Sequence, residues 1–317
     1  MNKRNLLSVI TLMTLCGFNI PMSEAAPIIP QKDTDINVSV IADDIENTQT
    51  DIINRVTFRD KLKKSPEAQI NSFFKKYDKY STQNNTEKLK NLYSDSYINN
   101  DGFNKEIVFK MMDTAADAYK NVKYTTNIQN ISVTGNTAIV KIHETAIGET
   151  TKPIEKLNGT GNIKSDIYYI DYLRKEGIDW KITNSIILSE KVELTYGEAK
   201  NSTFEINTPE CITAGTDYEV SVNAKLPSES FVVASIVNEP ITYPQVQKKD
   251  VFHAVKNDSI ARIIKSNTDG NNEYATVSLA ITRAQVEPSS VIINMTGMAF
   301  IMQRINVLSE NKNIKTE

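Results

Sequence analysis

Apolar residues recur at helical spacing in the first third of the chain and at every second position later, and this change of period organises the sequence. Ile70, Phe73, Phe74 and Tyr77 stand at i, i+3, i+4 and i+7, one face of an amphipathic helix. Ser65-Pro66-Glu67 supplies its start: a capping serine, a proline tolerated in the first turn and a glutamate suited to the positive end of the dipole. A second, short helix is expected from about Thr86, with Leu89, Leu92 and Tyr93 on one face, ending near Ser94-Asp95. A third runs from about Asn104 to Tyr119 on Ile107, Val108, Met111, Met112 and Ala115. The period then becomes 2. Residues 122–128 read as a strand, Gly135-Asn136 as a tight turn, and 137–147 as the antiparallel partner. In that partner Ala138, Val140, Ile142 and Ala146 alternate with Ile139, Lys141, His143 and Thr145. Residues 166–173 and 178–188 form another hairpin across Lys175-Glu176-Gly177. After Gly197 no helical period returns. Strands are expected at 202–207, 217–226, 231–237, 259–266, 273–282, 291–295 and 299–308, with Gly215, Pro227, Pro240, Pro244, Asp269-Gly270 and Pro288 between them.

Three helices followed by a curled antiparallel sheet predict an α+β domain over residues 65–196, and the later strands predict an all-β sandwich over 197–309. The order of elements, the helix end Leu92-Tyr93-Ser94-Asp95-Ser96-Tyr97 and the Asp179-Trp180-Lys181-Ile182 of the last hairpin resemble the NTF2-like superfamily of cone-shaped domains over roughly residues 66–195. The stretch Ala214-Gly215-Thr216-Asp217-Tyr218-Glu219-Val220 resembles the second strand of immunoglobulin-like modules. The expected fold is therefore an NTF2-like cone joined to an immunoglobulin-like β-sandwich.

The two ends of the chain read differently. Lys3 and Arg4 precede an uncharged apolar run, residues 6–20, then Pro21 and the small residues of Ser23-Glu24-Ala25-Ala26-Pro27. This is the pattern of a cleaved signal peptide, 1–25, and it places the protein outside the cytoplasm: periplasm, cell surface or medium. The run is shorter than the roughly 20 residues of a membrane span, so no stable span is expected after cleavage. Residues 26–64 are polar and acidic and read as a flexible extension with a short helical piece near 52–62, and 310–317 as a polar tail. An Ile-, Asn- and Lys-rich composition suits a bacterium of low genomic G+C.

Charge and cysteine content narrow the chemistry. Removing Lys3, Arg4 and Glu24 from 36 basic and 39 acidic residues leaves a net charge of −4, with no basic footprint for nucleic acid. Of two cysteines only Cys211 survives cleavage, so packing must hold the fold without an internal disulfide. His143 and His253 fall in different halves, which argues against a zinc site of nitrogen and sulfur ligands, and no cofactor is expected. No Gly-x-Ser-x-Gly, Walker-type or Gly-x-Gly-x-x-Gly motif is present.

What the NTF2-like resemblance implies is a cone interior where a carboxylate acts as base and a tyrosine, histidine or acid stabilises an enolate, as in ketosteroid isomerases and polyketide cyclases. The residues that could face such a pocket are Tyr77, Tyr97, Asp101, Asp113, His143, Asp166 and Tyr168. Each has a plainer role: Tyr77 and Tyr97 at a core rim, Asp101-Gly102 in a turn, Asp113 on a polar helix face, His143 on the exposed side of its strand, and residues 168–172 as a good strand former. Along 166–173, Asp166, Tyr168, Ile170 and Tyr172 share one face and Ile167, Tyr169, Asp171 and Leu173 the other, and the pattern leaves open which is inside. The leading expectation is an exported, non-enzymatic binding or envelope-accessory protein with a protein or envelope partner. The alternatives are a lyase or isomerase acting on a small apolar ligand, and an adhesin-like or carbohydrate-binding surface protein. A homodimer through the open face of the cone's sheet is what related domains suggest.

Overall fold

The computed structural model describes residues 64–83, 85–157, 159–225, 229–245, 250–255, 259–287 and 290–309. The expected signal peptide, the expected extension up to 63 with its helical piece near 52–62, and the expected polar tail lie outside the described residues. Helix α1 (Pro66–Gln83) begins where the Ser65 hydroxyl accepts from the Ala68 amide at 3.2 Å, and it buries Ile70, Phe73, Phe74 and Tyr77 on its predicted face. Helix α2 (Thr86–Lys90) is a little over one turn, capped by Asn85, and ends before Leu92. The expected helical continuation through Tyr93 is instead strand β1 (Tyr93–Asn99), parallel to a later strand with a register shift between Tyr93 and Ile98, and with Tyr93, Ser94, Tyr97 and Asn99 buried. The spacing of Leu89, Leu92 and Tyr93 mimics one helix face, but pairing with an available sheet edge makes the segment a strand. Helix α3 (Lys105–Ala118) starts at Asn104, whose side chain accepts from the Ile107 amide at 3.0 Å.

A meander of four long strands follows: β2 (Tyr119–Thr134), β3 (Thr137–Thr150), β4 (Asn162–Glu176) and β5 (Asp179–Gly197). One face carries the helices, and together they enclose a core of Phe74, Tyr77, Tyr97, Met112, Val140, Ile142, Leu173 and Ile182 among others. The chain then forms β6 (Thr203–Asn207), β7 (Cys211–Thr213), β8 (Asp217–Lys225), β9 (Phe231–Pro240), β10 (His253–Ala254), β11 (Ser259–Lys265), β12 (Glu273–Glu287) and β13 (Ser290–Leu308). The separate strands expected at 291–295 and 299–308 are thus one strand. Gly297 reads as a breaker in the sequence, but it is where β13 passes so close to the chain after β5 that a Cβ would lie 2.7 Å from the Ala199 amide nitrogen.

The main path of the large sheet runs β10-β9-β12-β13-β5-β4-β3-β2, and a smaller sheet, β11-β8-β6, accompanies its carboxy-terminal half. Between them lies a second core containing Phe204, Val220, Val222, Ala234, Val277, Leu279 and Ile301. The sheet crosses the expected boundary at 197 without a break, since β13 pairs with β5 from Gly297↔Gly197 to Gln303↔Lys191. Phe300 and Met302 of β13 enter the first core, while Ala299 and Ile301 enter the second. A strand alternates sides with period 2, so this one strand is a wall of both cores.

Candidate functional site

The interior face of β4 is the one bearing Ile167, Tyr169, Asp171 and Leu173, all buried beneath the helices. On β3 the interior face carries Val140, Ile142, Glu144 and Ala146. Two carboxylates, Glu144 and Asp171, are therefore projected into the core, where they meet Tyr77 from α1 and Tyr93 and Tyr97 from β1. Glu144 accepts from the Tyr169 and Thr126 hydroxyls, each at 3.4 Å, and Asp171 accepts from Ser185 at 2.6 Å. The Tyr77 and Tyr93 hydroxyls lie 3.5 Å apart, and the Tyr93 ring packs edge-on against Tyr97 and Phe109 at 4.9 and 5.2 Å. No hydrogen bond of regular geometry reaches the buried Tyr97 hydroxyl, whose polar neighbour is Ser185.

Burial dominates the electrostatics. It pushes Glu144 up to about 8, with the charges of Asp78 and Asp171 adding to the rise and the hydrogen bonds from Tyr169 and Thr126 opposing it. Burial likewise takes Asp171 to about 7 against the Ser185 hydrogen bond. Tyr77, Tyr93 and Tyr169 are raised well above the ordinary phenol range, again chiefly by burial, and stay neutral. Chemically, the interior offers two carboxyl groups that exchange protons near neutral pH beside neutral phenols, the composition of an acid–base site. Its space is taken up by the chain itself: Phe73, Tyr77, Val140 and Trp180 are 6 %, 4 %, 0 % and 5 % exposed.

The seven residues expected from the sequence separate into three places. Tyr77 and Tyr97 are buried in the first core. His143, Asp166 and Tyr168 lie together on the outer face of the sheet, where His143 stacks on Tyr168 at 4.2 Å and bonds Asp166 at 3.2 Å. They cannot face the pocket, because the helices select the neighbouring face with Ile167 and Leu173. Asp113 is exposed on α3. Asp101 sits at the junction of the two cores, paired with the fully buried Arg304, one arm at 3.1 Å, and accepting from Asn272 at 2.8 Å. Beside it Glu190 accepts from Tyr274 at 2.6 Å and is raised to about 7 by burial, against the Tyr274 hydrogen bond and the Arg304 charge. Glu144, Asp171, Tyr93 and Tyr169 were not singled out from sequence. A signal existed for the acids: each occupies a buried-face position in a strand whose neighbours at i±2 are apolar.

An open groove of about 620 Å³ lies between α1, α2 and the turn joining β4 to β5. Its wall contains Phe73, Tyr80, Leu92, Ile178 and Trp180, and its rim, among the described residues, Lys64, Lys76, Lys88 and Lys181 against one acid, Asp179. The indole of Trp180 is held by Gln69 at 3.2 Å and covered on the ring by Lys175 at 5.1 Å. Among the described residues no group of three or more His, Cys, Asp or Glu is placed to hold a metal ion, and no helix is long and apolar enough to cross a membrane. Cys211 is exposed and unpaired with another cysteine.

No family model matches the sequence, and no curated protein does. Solved structures similar to part of the chain include a putative scytalone dehydratase from Novosphingobium aromaticivorans, 19 % identical with a TM-score of 0.33, covering 38 % of this chain and 81 % of that one. A conserved protein from Planctomyces limnophilus is 11 % identical with a TM-score of 0.32, over 38 % and 92 % of the two chains. A type 2 hexachlorocyclohexane dehydrochlorinase (LinA) gives 11 % and 0.32, over 38 % and 82 %. These neighbours have NTF2-like folds, and the likeness covers 38 % of the chain.

Proposed function

We propose that the protein is an exported, non-enzymatic binding module of the cell envelope, which recognises its partner or ligand on outer surfaces while the cone acts as a scaffold. The filled cone carries this reading: a substrate would have to displace Phe73, Tyr77 or Val140, each buried in the core. The acid–tyrosine cluster is then structural, its carboxyl groups kept partly protonated so that they donate as well as accept within the packing. The carboxy-terminal sheets are read as an immunoglobulin-like sandwich, on the support of two sheets closing over one apolar core. A second reading, a lyase or isomerase, is favoured by one observation, the buried Tyr169–Glu144 contact beside Asp171.

Titration with small neutral ketones and phenols separates the two, read by calorimetry and by the shift in melting temperature. The closed scaffold is expected to show no saturable heat and no rise in Tm. A neutral ligand that raises the Tm of the parent protein and fails to do so in the Glu144→Gln/Asp171→Asn variant would place binding inside the cone and favour the acid–base reading.

A further inference from the structure

The groove between α1, α2 and the β4–β5 turn has a charge unlike that of the chain around it. The whole sequence carries a net charge of −3, yet among the described residues four lysines and one acid border this concavity. Other helical lysines have carboxylate partners, Lys90 of α2 with Glu87 at 3.5 Å, and Lys105 and Lys110 of α3 with Asp95 at 2.8 Å and Glu106 at 2.7 Å, while Lys75 and Lys79 of α1 form no salt bridge among the described residues. Among the described residues Lys76, Lys88 and Lys181 form no salt bridge. Lys181 donates to the Asn91 carbonyl, and Lys88 lies 5.6 Å above the Tyr80 ring. Leaving like charges together around a concave wall costs stability and focuses a positive potential into the groove.

Beneath the rim the wall is apolar. Ile178 is 45 % exposed, and Tyr80 and Leu92 are partly exposed beside the buried Phe73 and Trp180. The volume, about 620 Å³, falls in the range of roughly 300 to 1,000 Å³ typical of small-molecule sites. We propose that this groove binds an anionic amphiphile, a carboxylate or phosphate head on an apolar body, with Lys76 and Lys88 taking the head and Tyr80, Leu92 and Ile178 the body. The assignment rests on the reading that recognition occurs outside the cone, and it names the ligand class for that recognition. A soluble acid and a lipid headgroup share this chemistry.

Trp180 is the only tryptophan of the chain and lines the groove, so its fluorescence reports occupancy. The mature protein is titrated with decyl phosphate and decanoate below their micellar concentrations, with neutral decyl maltoside and cationic decyltrimethylammonium as comparisons. Vesicles with and without phosphatidylglycerol form a second arm. The expected result is a saturable, salt-sensitive Trp180 response to the anions alone, weakened at least ten-fold in Lys76→Glu/Lys88→Glu and unchanged in Lys141→Glu, an exposed lysine on β3. A response to monomeric anions assigns a soluble acid; a response to anionic vesicles alone assigns a lipid headgroup. Equal responses to all head groups, no anion-selective response, or indifference to Lys76→Glu/Lys88→Glu would overturn the groove and leave the closed cone standing. A signal that survived that variant but vanished in Glu144→Gln would put the ligand inside the cone, and both readings would fall.

Discussion

Glu144 and Asp171 are 2 % and 3 % exposed, and a charge so placed is costly unless it is neutralised or fully bonded. The native state holds on to their protons, which makes stability depend on pH with a definite sign. Glu144 moves from an ordinary 4.5 to about 8 on folding, so between these values the native state binds more protons than the unfolded chain. Its contribution is fully present below pH 4.5 and is lost as pH rises through 8, on the order of 5 kcal/mol at about 1.4 kcal/mol per pH unit. Asp171 acts in the same direction between 3.8 and about 7. Urea denaturation from pH 5 to pH 9 is expected to show falling stability in the parent and a flatter profile in Glu144→Gln, with the variant the more stable at pH 9. Parallel profiles would show that Glu144 is ionised in the native state. Neither acid was singled out from the sequence, although each stands between apolar residues at i±2 on its strand face. Asp101 was singled out as a pocket candidate, but its pairing with Arg304 was not foreseen, because the two are 203 residues apart and no local pattern links them.

At the scale of elements, strands set their own limits by pairing more than by composition. Residues 93–99 become β1 because the β5 edge accepts them in parallel, and β13 runs unbroken through Gly297 because β5 and β12 flank it. The seam between β5 and β13 depends on Gly197, at φ +55°, where a Cβ would fall 2.2 Å from the Thr296 carbonyl oxygen. A non-glycine residue in such a backbone region costs on the order of 1 to 3 kcal/mol before any contact is considered. Gly197→Ala is expected to lower stability by at least about 2 kcal/mol, seen as a lower urea midpoint with an unchanged slope. Beyond the seam, β12 and β13 continue as a two-stranded ribbon that exposes Val286 by 80 % and Ile293 by 68 %. Nothing in the described residues covers them.

For the whole molecule, the consequence of a shared strand is cooperative unfolding. The first core cannot lose β13 without losing Phe300 and Met302, nor the second without losing Ala299 and Ile301. The buried Asp101–Arg304 pair ties the same junction, and breaking one partner of such a pair costs about 3 to 5 kcal/mol. Trp180 reports on the first core and far-UV circular dichroism on both halves. Their denaturation midpoints are expected to coincide, and two separated transitions would show that the halves unfold independently. The sequence by itself determined the three helix starts, the switch from period 3.6 to period 2, and the glycine turns at Gly135 and Gly177, since caps, periodicity and backbone freedom act over a few neighbouring residues. Only the tertiary structure decided that two expected domains share one sheet, that the face bearing Asp171 turns inward, and that lysines from α1, α2 and β5 meet around one groove. Those outcomes depend on which strand edge and which helix face come together, and that is settled by burying the most apolar surface across separations no local pattern encodes.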